Sequence, residues 1–331
     1  MLMKDPDERT KKRDAMASMT RRIATVFGGS GLIGRQVVPR LARQGYVVRI
    51  AVRDPERAAA LRPAGAPGQI VPLYAPLENS AAVARAAEGA EVVVNLVGQL
   101  SERKAGTLSA VMGRGAGLVA TAAAAAGARR LVHLSAIGAD PAGATAYARA
   151  KAEGEAAVRA AFPAAVILRP SVVFGVEDHF FNRIGTLAKT LPLLPVVCGE
   201  CRLQPVYVGD VAAAVMAALV RADAPGQTYE LAGPRVASLR ELESWVLAVT
   251  GQKRRLWTVP AGLFRLGARF LEMLPGQQPI GDALQLLARD NVATGELPGL
   301  AGLGVVATPM EAMVPAYLRR FAPVWKQQPA I

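Results

Sequence analysis

The residues best suited to chemistry begin at Gly28-Gly-Ser-Gly31-Leu-Ile-Gly34, between an apolar run at 23–27 and a helical stretch at 35–44. Two glycine spacings are satisfied together, Gly28/Gly31/Gly34 and Gly29/Gly31/Gly34. Glycine suits such a turn because the chain must adopt positive φ, and because a pyrophosphate has to reach backbone N–H groups that a β-carbon would shield. A strand, this turn and a helix in succession point to dinucleotide binding, with Gly28, Gly29, Ser30, Gly31, Leu32, Ile33, Gly34 and Arg35 as the first candidate contacts. The competing reading is a glycine turn that serves packing alone.

The adenine ribose is read near the end of the second strand, where an NAD site places an acid on the 2′-hydroxyl. Arg53 stands there, 19 residues after Gly34. Its neighbour Asp54 precedes Pro55 and Glu56, and so reads as the N-cap of a helix with proline at its first position. That leaves Arg53 to meet a 2′-phosphate, with Arg35 or Arg57 as helpers, and makes NADP(H) the expected cofactor ahead of NAD(H). A solvated arginine on a strand end is the alternative.

Tyr147-Ala-Arg-Ala-Lys151 sets a phenol and an ammonium four residues apart, on one helical face. A nearby Lys⁺ favours the phenolate, the form that exchanges a proton with a carbonyl, and the same ammonium can hydrogen-bond a ribose. By itself the spacing describes many surface pairs. After the fifth strand of a nucleotide fold it reads as part of a site.

Cys198-Gly-Glu-Cys201 has redox-motif spacing, and His179 is a conceivable third metal ligand. A structural zinc site needs a fourth group and usually a second paired motif, and neither is evident. The segment is therefore expected to be an inserted loop without metal or disulfide chemistry. His133 falls inside a strand and reads as a core or strand-end histidine.

These residues need a scaffold, and the chain spells one out. Strands are expected at 23–27, 46–52, 69–73, 91–97, 130–134 and 165–168, separated by helices at 35–44, 55–61, 80–87, 108–126 and 147–161. Such βα alternation predicts a doubly wound parallel sheet of the Rossmann type, with ligands at the carboxyl ends of its strands. A Pro- and Gly-rich stretch at 176–205 looks like an insertion, 210–220 another helix and 228–231 another strand. The expected organisation is a flexible tail over 1–22, a nucleotide-binding domain over 23–235, and a smaller, mostly helical C-terminal lobe over 236–331.

A chain of 331 residues, 52% of them hydrophobic, can bury a large core, which excludes disorder over most of its length. Its net charge of +13 leaves an acidic partner open. The charge is spread along the chain, however, and only 5% of residues are aromatic, so specific nucleic-acid binding is not expected. Residues 1–22 mix acids with bases and contain no apolar core, unlike a secretory signal. With two cysteines and no export signal, a reducing compartment is expected.

The glycine turn, the Tyr147/Lys151 pair and Leu168-Arg-Pro-Ser-Val-Val-Phe-Gly175 resemble the short-chain dehydrogenase/reductase superfamily in its extended or atypical branch. Ala161-Phe-Pro-Ala-Ala-Val-Ile-Leu-Arg-Pro-Ser171, Phe174-Gly-Val-Glu-Asp178, Gln204-Pro-Val-Tyr-Val-Gly-Asp-Val211 and Leu297-Pro-Gly-Leu300 resemble, more closely, the nucleotide-binding accessory subunit family of respiratory complex I, NADH:quinone oxidoreductase. The resemblance implies a peripheral subunit that holds NADP(H) without turning it over. It would sit beside complex I subunits on the cytoplasmic face of a bacterial inner membrane, near the junction of the peripheral and membrane arms. It also adds Leu96, Val97, Gly98, Ser135, Pro170, Ser171 and Phe174 to the expected cofactor contacts.

Two departures from the reductase pattern matter. Active members carry Ser or Thr two residues past the position of Ser135, to polarise a substrate carbonyl, and this chain has Ile137. Loss of that donor costs on the order of 3 kcal/mol of transition-state stabilisation, by analogy with oxyanion-hole deletions. The acid that would hold the adenine amino group after the third strand is also missing, around Ala75. Catalytic residues are accordingly not expected, with Tyr147 and Lys151 as a residual pair. Leu263, Leu266, Gly267, Phe270 and Leu274 fall at helical spacing with Arg265 and Arg269 on other faces, which fits a core-facing helix or one that meets a partner subunit or anionic lipid headgroups.

Overall fold

The structure, a computed structural model, describes residues 22–99, 106–259 and 289–323. β1 (Ile23–Phe27) ends at the glycine turn, and α1 (Gly34–Arg43) follows. Val37, Val38, Leu41 and Ala42 make the buried stripe of α1, and Gly45 takes φ +86° just beyond it, where the chain reverses into β2 (Val47–Val52). Asp54 caps the short α2 (Pro55–Ala59) by accepting from the Arg57 N–H at 3.0 Å. β3 (Ile70–Tyr74), α3 (Ser80–Ala87, capped by Asn79) and β4 (Val92–Asn95) complete the first half.

The helix expected at 108–126 begins instead as a π-helical segment, Ser109–Arg114, before α4 (Gly115–Ala125). Its neighbour is α5 (Ala146–Ala161, capped by Thr145). A β-carbon on Gly154 of α5 would overlap the Met112 carbonyl oxygen, so the π segment sits on α5 at closer range than a side chain permits. Between them lies β5 (Arg130–Leu134), and β6 (Val166–Pro170) follows α5.

The stretch expected as a loop insertion at 176–205 is largely structured. After β7 (Val173–Phe174) it holds α6 (Phe181–Thr190), β8 (Leu193–Val196) and β9 (Arg202–Leu203). Its Pro and Gly mark the ends of short elements, and Phe181, Ile184, Ala188, Leu194 and Leu203 supply them with a core. β10 (Val206–Tyr207), α7 (Val208–Val220), β11 (Thr228–Leu231), β12 (Ala237–Ser238), α8 (Leu239–Thr250), β13 (Arg255–Thr258) and α9 (Met310–Leu318) follow.

Seven parallel strands form the main sheet in the order β11-β6-β5-β4-β1-β2-β3. Apolar clusters cover both faces: one from α1, α7 and the sheet, the other from α3, α4 and the sheet. Because both faces are buried, the strands read as near-continuous apolar runs. A third cluster joins Phe174, α6, α8 and α9, so the 181–203 stretch packs with the chain after residue 237. The strand order reverses between β1 and β4, which opens a crevice at their carboxyl ends. The amphipathic segment 263–274 lies outside the described residues.

Candidate functional site

That crevice holds a cavity of about 290 Å³. Gly28, Ser30 and Gly31 line it from the turn after β1, Leu96, Val97 and Gly98 from the turn after β4, and Arg53 and Arg57 from beyond β2. Asp54, Glu78 and the apolar walls of Ala75 and Leu77 close it.

Three of the four glycines of the turn have different tasks. Gly28 takes φ +75°, and a β-carbon there would come within 3.1 Å of the Leu96 and Val97 backbone, so this residue makes the turn and lets it meet β4. A β-carbon on Gly34 would overlap the Gly29 backbone, so Gly34 seats α1 against the turn. Gly31 differs from both: its β-carbon would meet only the Gly28 carbonyl oxygen, at 3.4 Å. Packing does not require glycine at 31. A phosphate approaching the amino terminus of α1 would, because the backbone must be bare at that point. The cradle therefore fits a dinucleotide pyrophosphate.

Around the cradle the charges are partly engaged. The Asp54 carboxylate serves its helix cap, while Arg53 is exposed at the cavity. Arg35 donates from Nε to the Ser30 carbonyl oxygen at 3.0 Å and pairs through Nη1 with Glu177 at 2.8 Å. Leu32 and Ile33 form the connection into α1 without lining the cavity.

At the other end of the crevice, buried Lys151 donates from Nζ to the Leu134 carbonyl oxygen at 3.0 Å. The same nitrogen lies 4.0 Å from where a β-carbon on Gly98 would stand, and 5.9 Å from the centroid of the Tyr147 ring. Burial pushes the Tyr147 hydroxyl up to about 12 and Lys151 down to about 8. Desolvation disfavours the charged form of each group, and so opposes the pull of the ammonium toward a phenolate.

Ser135 is buried at the end of β5, and Ile137 two residues on is buried with its N–H donated to the Pro170 carbonyl oxygen at 3.1 Å. Gly29, Gly34, Arg35, Ser135, Tyr147 and Lys151 do not line the cavity, and neither do Pro170, Ser171 and Phe174. Pro170 is buried at the end of β6, Ser171 donates its hydroxyl to Asn291 Oδ1 at 2.6 Å, and Phe174 is fully buried against Phe181 and Tyr207.

Asn95 is a positioning residue that the sequence reading missed. It closes β4 fully buried, accepts from the Val97 N–H at 3.2 Å, and donates to His133 Nδ1 at 3.2 Å, which fixes the β4 wall of the cavity. The only signal was a polar residue ending the apolar run Val92-Val-Val-Asn95. His133 is a core histidine, held neutral because burial lowers it to about 3.

Cys198 and Cys201 form a disulfide, Cα–Cα 5.6 Å, which corrects the expectation of a plain loop. Among the described residues no group of three His, Cys, Asp or Glu is placed to hold a metal, and no helix is long and apolar enough to cross a membrane. A larger concavity of about 750 Å³ lies along α5. Its charged groups are already paired: Glu155 takes two bonds from Arg169, both at 2.7 Å, and one from Arg159 at 3.1 Å. It is a structural ion cluster beside the nucleotide crevice.

A family model described as NAD(P)H-binding matches residues 28–179, which places a nicotinamide-nucleotide-binding unit over the crevice. The chain is 32% identical over 301 residues to the mitochondrial NADH dehydrogenase (ubiquinone) 1 alpha subcomplex subunit 9 of Rattus norvegicus, covering 90% of this chain and 80% of that one. It is also 32% identical over 284 residues to a ceramide reductase of Caulobacter vibrioides, covering 83% of this chain and 87% of that one. Among solved structures, an NADPH-dependent quinone oxidoreductase of Escherichia coli, complexed with NADPH, superposes with a TM-score of 0.68 at 20% identity, covering 89% of this chain and 99% of that one. That likeness is one of fold.

Proposed function

The chain belongs to the family of nucleotide-binding accessory subunits of respiratory complex I, within the short-chain dehydrogenase/reductase superfamily, and from that premise we propose that it is a non-catalytic subunit of NADH:quinone oxidoreductase holding NADP(H). The observation that carries the non-catalytic part is the far end of the crevice. The position of the carbonyl-polarising hydroxyl is taken by Ile137, a buried side chain that has no hydrogen bond to donate. A bound nicotinamide nucleotide is a hydride carrier, but the chain's own residues do no more than grip it. The cradle of Gly28, Gly31 and Gly34 receives phosphates, Arg53 receives a 2′-phosphate, and Lys151 reaches toward a ribose.

A ligand that binds the folded chain alone stabilises it by about 4 kcal/mol at a thousandfold excess over its dissociation constant. In this reading the cofactor is a structural and regulatory clamp. The subunit sits peripherally on the cytoplasmic face of a bacterial inner membrane, and the lobe over 236–331 contacts other complex I subunits and anionic headgroups.

The second reading is an active NADP-dependent reductase or epimerase on a small substrate. The retained Tyr147/Lys151 pair and the similarity to a ceramide reductase favour it. Gentle solubilisation of membranes followed by native electrophoresis separates the readings. The chain migrating with NADH dehydrogenase activity supports the subunit. Recovery only as free protein, with NADPH-dependent turnover that Tyr147→Phe abolishes, supports the enzyme.

A further inference from the structure

The loop closed by the disulfide between Cys198 and Cys201 is hydrogen-bonded to the start of a helix. The loop that carries it offers the Cys201 carbonyl oxygen to the Leu239 N–H and the Gly199 carbonyl oxygen to the Arg240 N–H, each at 3.0 Å. These are the first two amides of α8, a twelve-residue helix whose third amide, from Glu241, is taken by the Ser238 hydroxyl. The loop is thus part of the cap of α8. Arg240 lies over it, with Nε 3.3 Å from where a β-carbon on Gly199 would stand and 3.8 Å from Glu200.

A disulfide closed across the short CxxC spacing exchanges with a dithiol wherever one of its sulfurs can be reached. The two sulfurs differ in access: Cys198 is half-buried, and Cys201 is buried at 8% exposure. Cys198 also takes φ +55°, a left-handed conformation that costs a non-glycine residue energy and is held here by the closed loop.

We propose that Cys198 and Cys201 are a reversible redox site, reduced by a dithiol–disulfide oxidoreductase or a small dithiol and coupled to the cap of α8. The attacking thiolate bonds to Cys198 Sγ and the disulfide breaks, with the electron pair leaving on Cys201, which takes a proton from water. The reductant's second thiol then displaces Cys198, so that the protein gains two electrons and two protons and the reductant leaves as its own disulfide. Reduction frees the turn at 198–201 and withdraws carbonyl partners from Leu239 and Arg240. On the cytoplasmic placement proposed above, on which this inference rests, a disulfide with this access meets thiol reductants and is an exchanging pair, not a permanent crosslink.

The test uses the full chain, equilibrated over a series of reduced-to-oxidised dithiothreitol ratios, quenched in acid, alkylated and weighed. The expected result is a reversible two-thiol transition in folded protein. With it, amide exchange at Leu239 and Arg240 rises at least tenfold on reduction, while Ile167 in β6 is unchanged. Cys201→Ser should leave a Cys198 thiol that forms a mixed disulfide with oxidised glutathione at least tenfold faster than the Cys201 thiol of Cys198→Ser. A disulfide that resists reduction until the protein is denatured would make it a structural crosslink and overturn the proposal. So would thiols that never pair on oxidation of folded protein. Both of these are read on the wild-type chain, whether or not the variants fold.

Discussion

Arg35 and Glu177 form an ion pair at 2.8 Å that joins the first turn of α1 to the segment after β7, 142 residues away in the chain. The guanidinium that the sequence assigns to a cofactor phosphate thus already has a carboxylate partner beside the cradle. The next residue, Asp178, accepts from the Tyr317 hydroxyl of α9 at 2.6 Å, so the rim of the nucleotide crevice is continuous with the third apolar cluster.

Glu177→Gln should release Arg35 and tighten binding of NADP(H). Both side chains are more than one-third exposed, so the pair contributes at most about 1 kcal/mol and the gain should be no more than about fivefold. Titration calorimetry of nucleotide-stripped protein checks this. Unchanged or weaker binding would mean that Arg35 is not a phosphate contact.

Arg53 should decide between the two dinucleotides. Arg53→Ala is expected to weaken NADP(H) by roughly tenfold or more, the loss of a charge-assisted hydrogen bond, and to leave NAD(H) nearly unchanged. Equal loss for both would assign Arg53 to a general electrostatic role.

The glycines of the cradle separate folding from binding. Gly34→Ala should destabilise the protein by about 1–3 kcal/mol or more, because its β-carbon meets backbone that cannot step aside. Gly31→Ala should leave the melting temperature of nucleotide-free protein almost unmoved while weakening nucleotide binding roughly tenfold. Parallel melting curves with and without NADPH distinguish the two, and a Gly31→Ala that fails to fold would remove the argument for phosphate approach.

Lys151 gives a pH signature. Its folded pKa of about 8 lies below the ordinary lysine value of 10.5, so between these the unfolded chain binds the extra proton. Stability from this group is complete above the unfolded value and is lost as pH falls toward 8, by about 3 kcal/mol at most. Denaturant midpoints of nucleotide-free protein should therefore rise from pH 8 to 10 relative to Lys151→Met. Parallel pH profiles for the two proteins would contradict the assignment.

Much of this was legible in the residues. β5 and β11 fall at the predicted positions, and the Asp54 cap is where Asp54-Pro55 implied, because local chemistry and apolar periodicity agree there. The doubly wound parallel sheet follows from βα alternation. Pairings set by tertiary distance were not legible. No local pattern links Arg35 to Glu177, or Asn95 to His133. The structured stretch at 181–203 was hidden because its elements are short and take their core from α8 and α9, far along the chain. The surroundings of the Tyr147/Lys151 pair were not legible for a related reason: spacing shows that the two share a face, but not that desolvation acts on both.

The central claim is that this chain is a nucleotide-holding member of complex I, and the most direct test is the nucleotide content of that assembly. NADH dehydrogenase is purified from solubilised host membranes, and the dinucleotide released on denaturation is quantified against the amount of this chain. Close to one NADP(H) per chain, falling in proportion when Arg53→Ala replaces the wild type, is the predicted result. A purified complex that contains the chain and no releasable dinucleotide would contradict it.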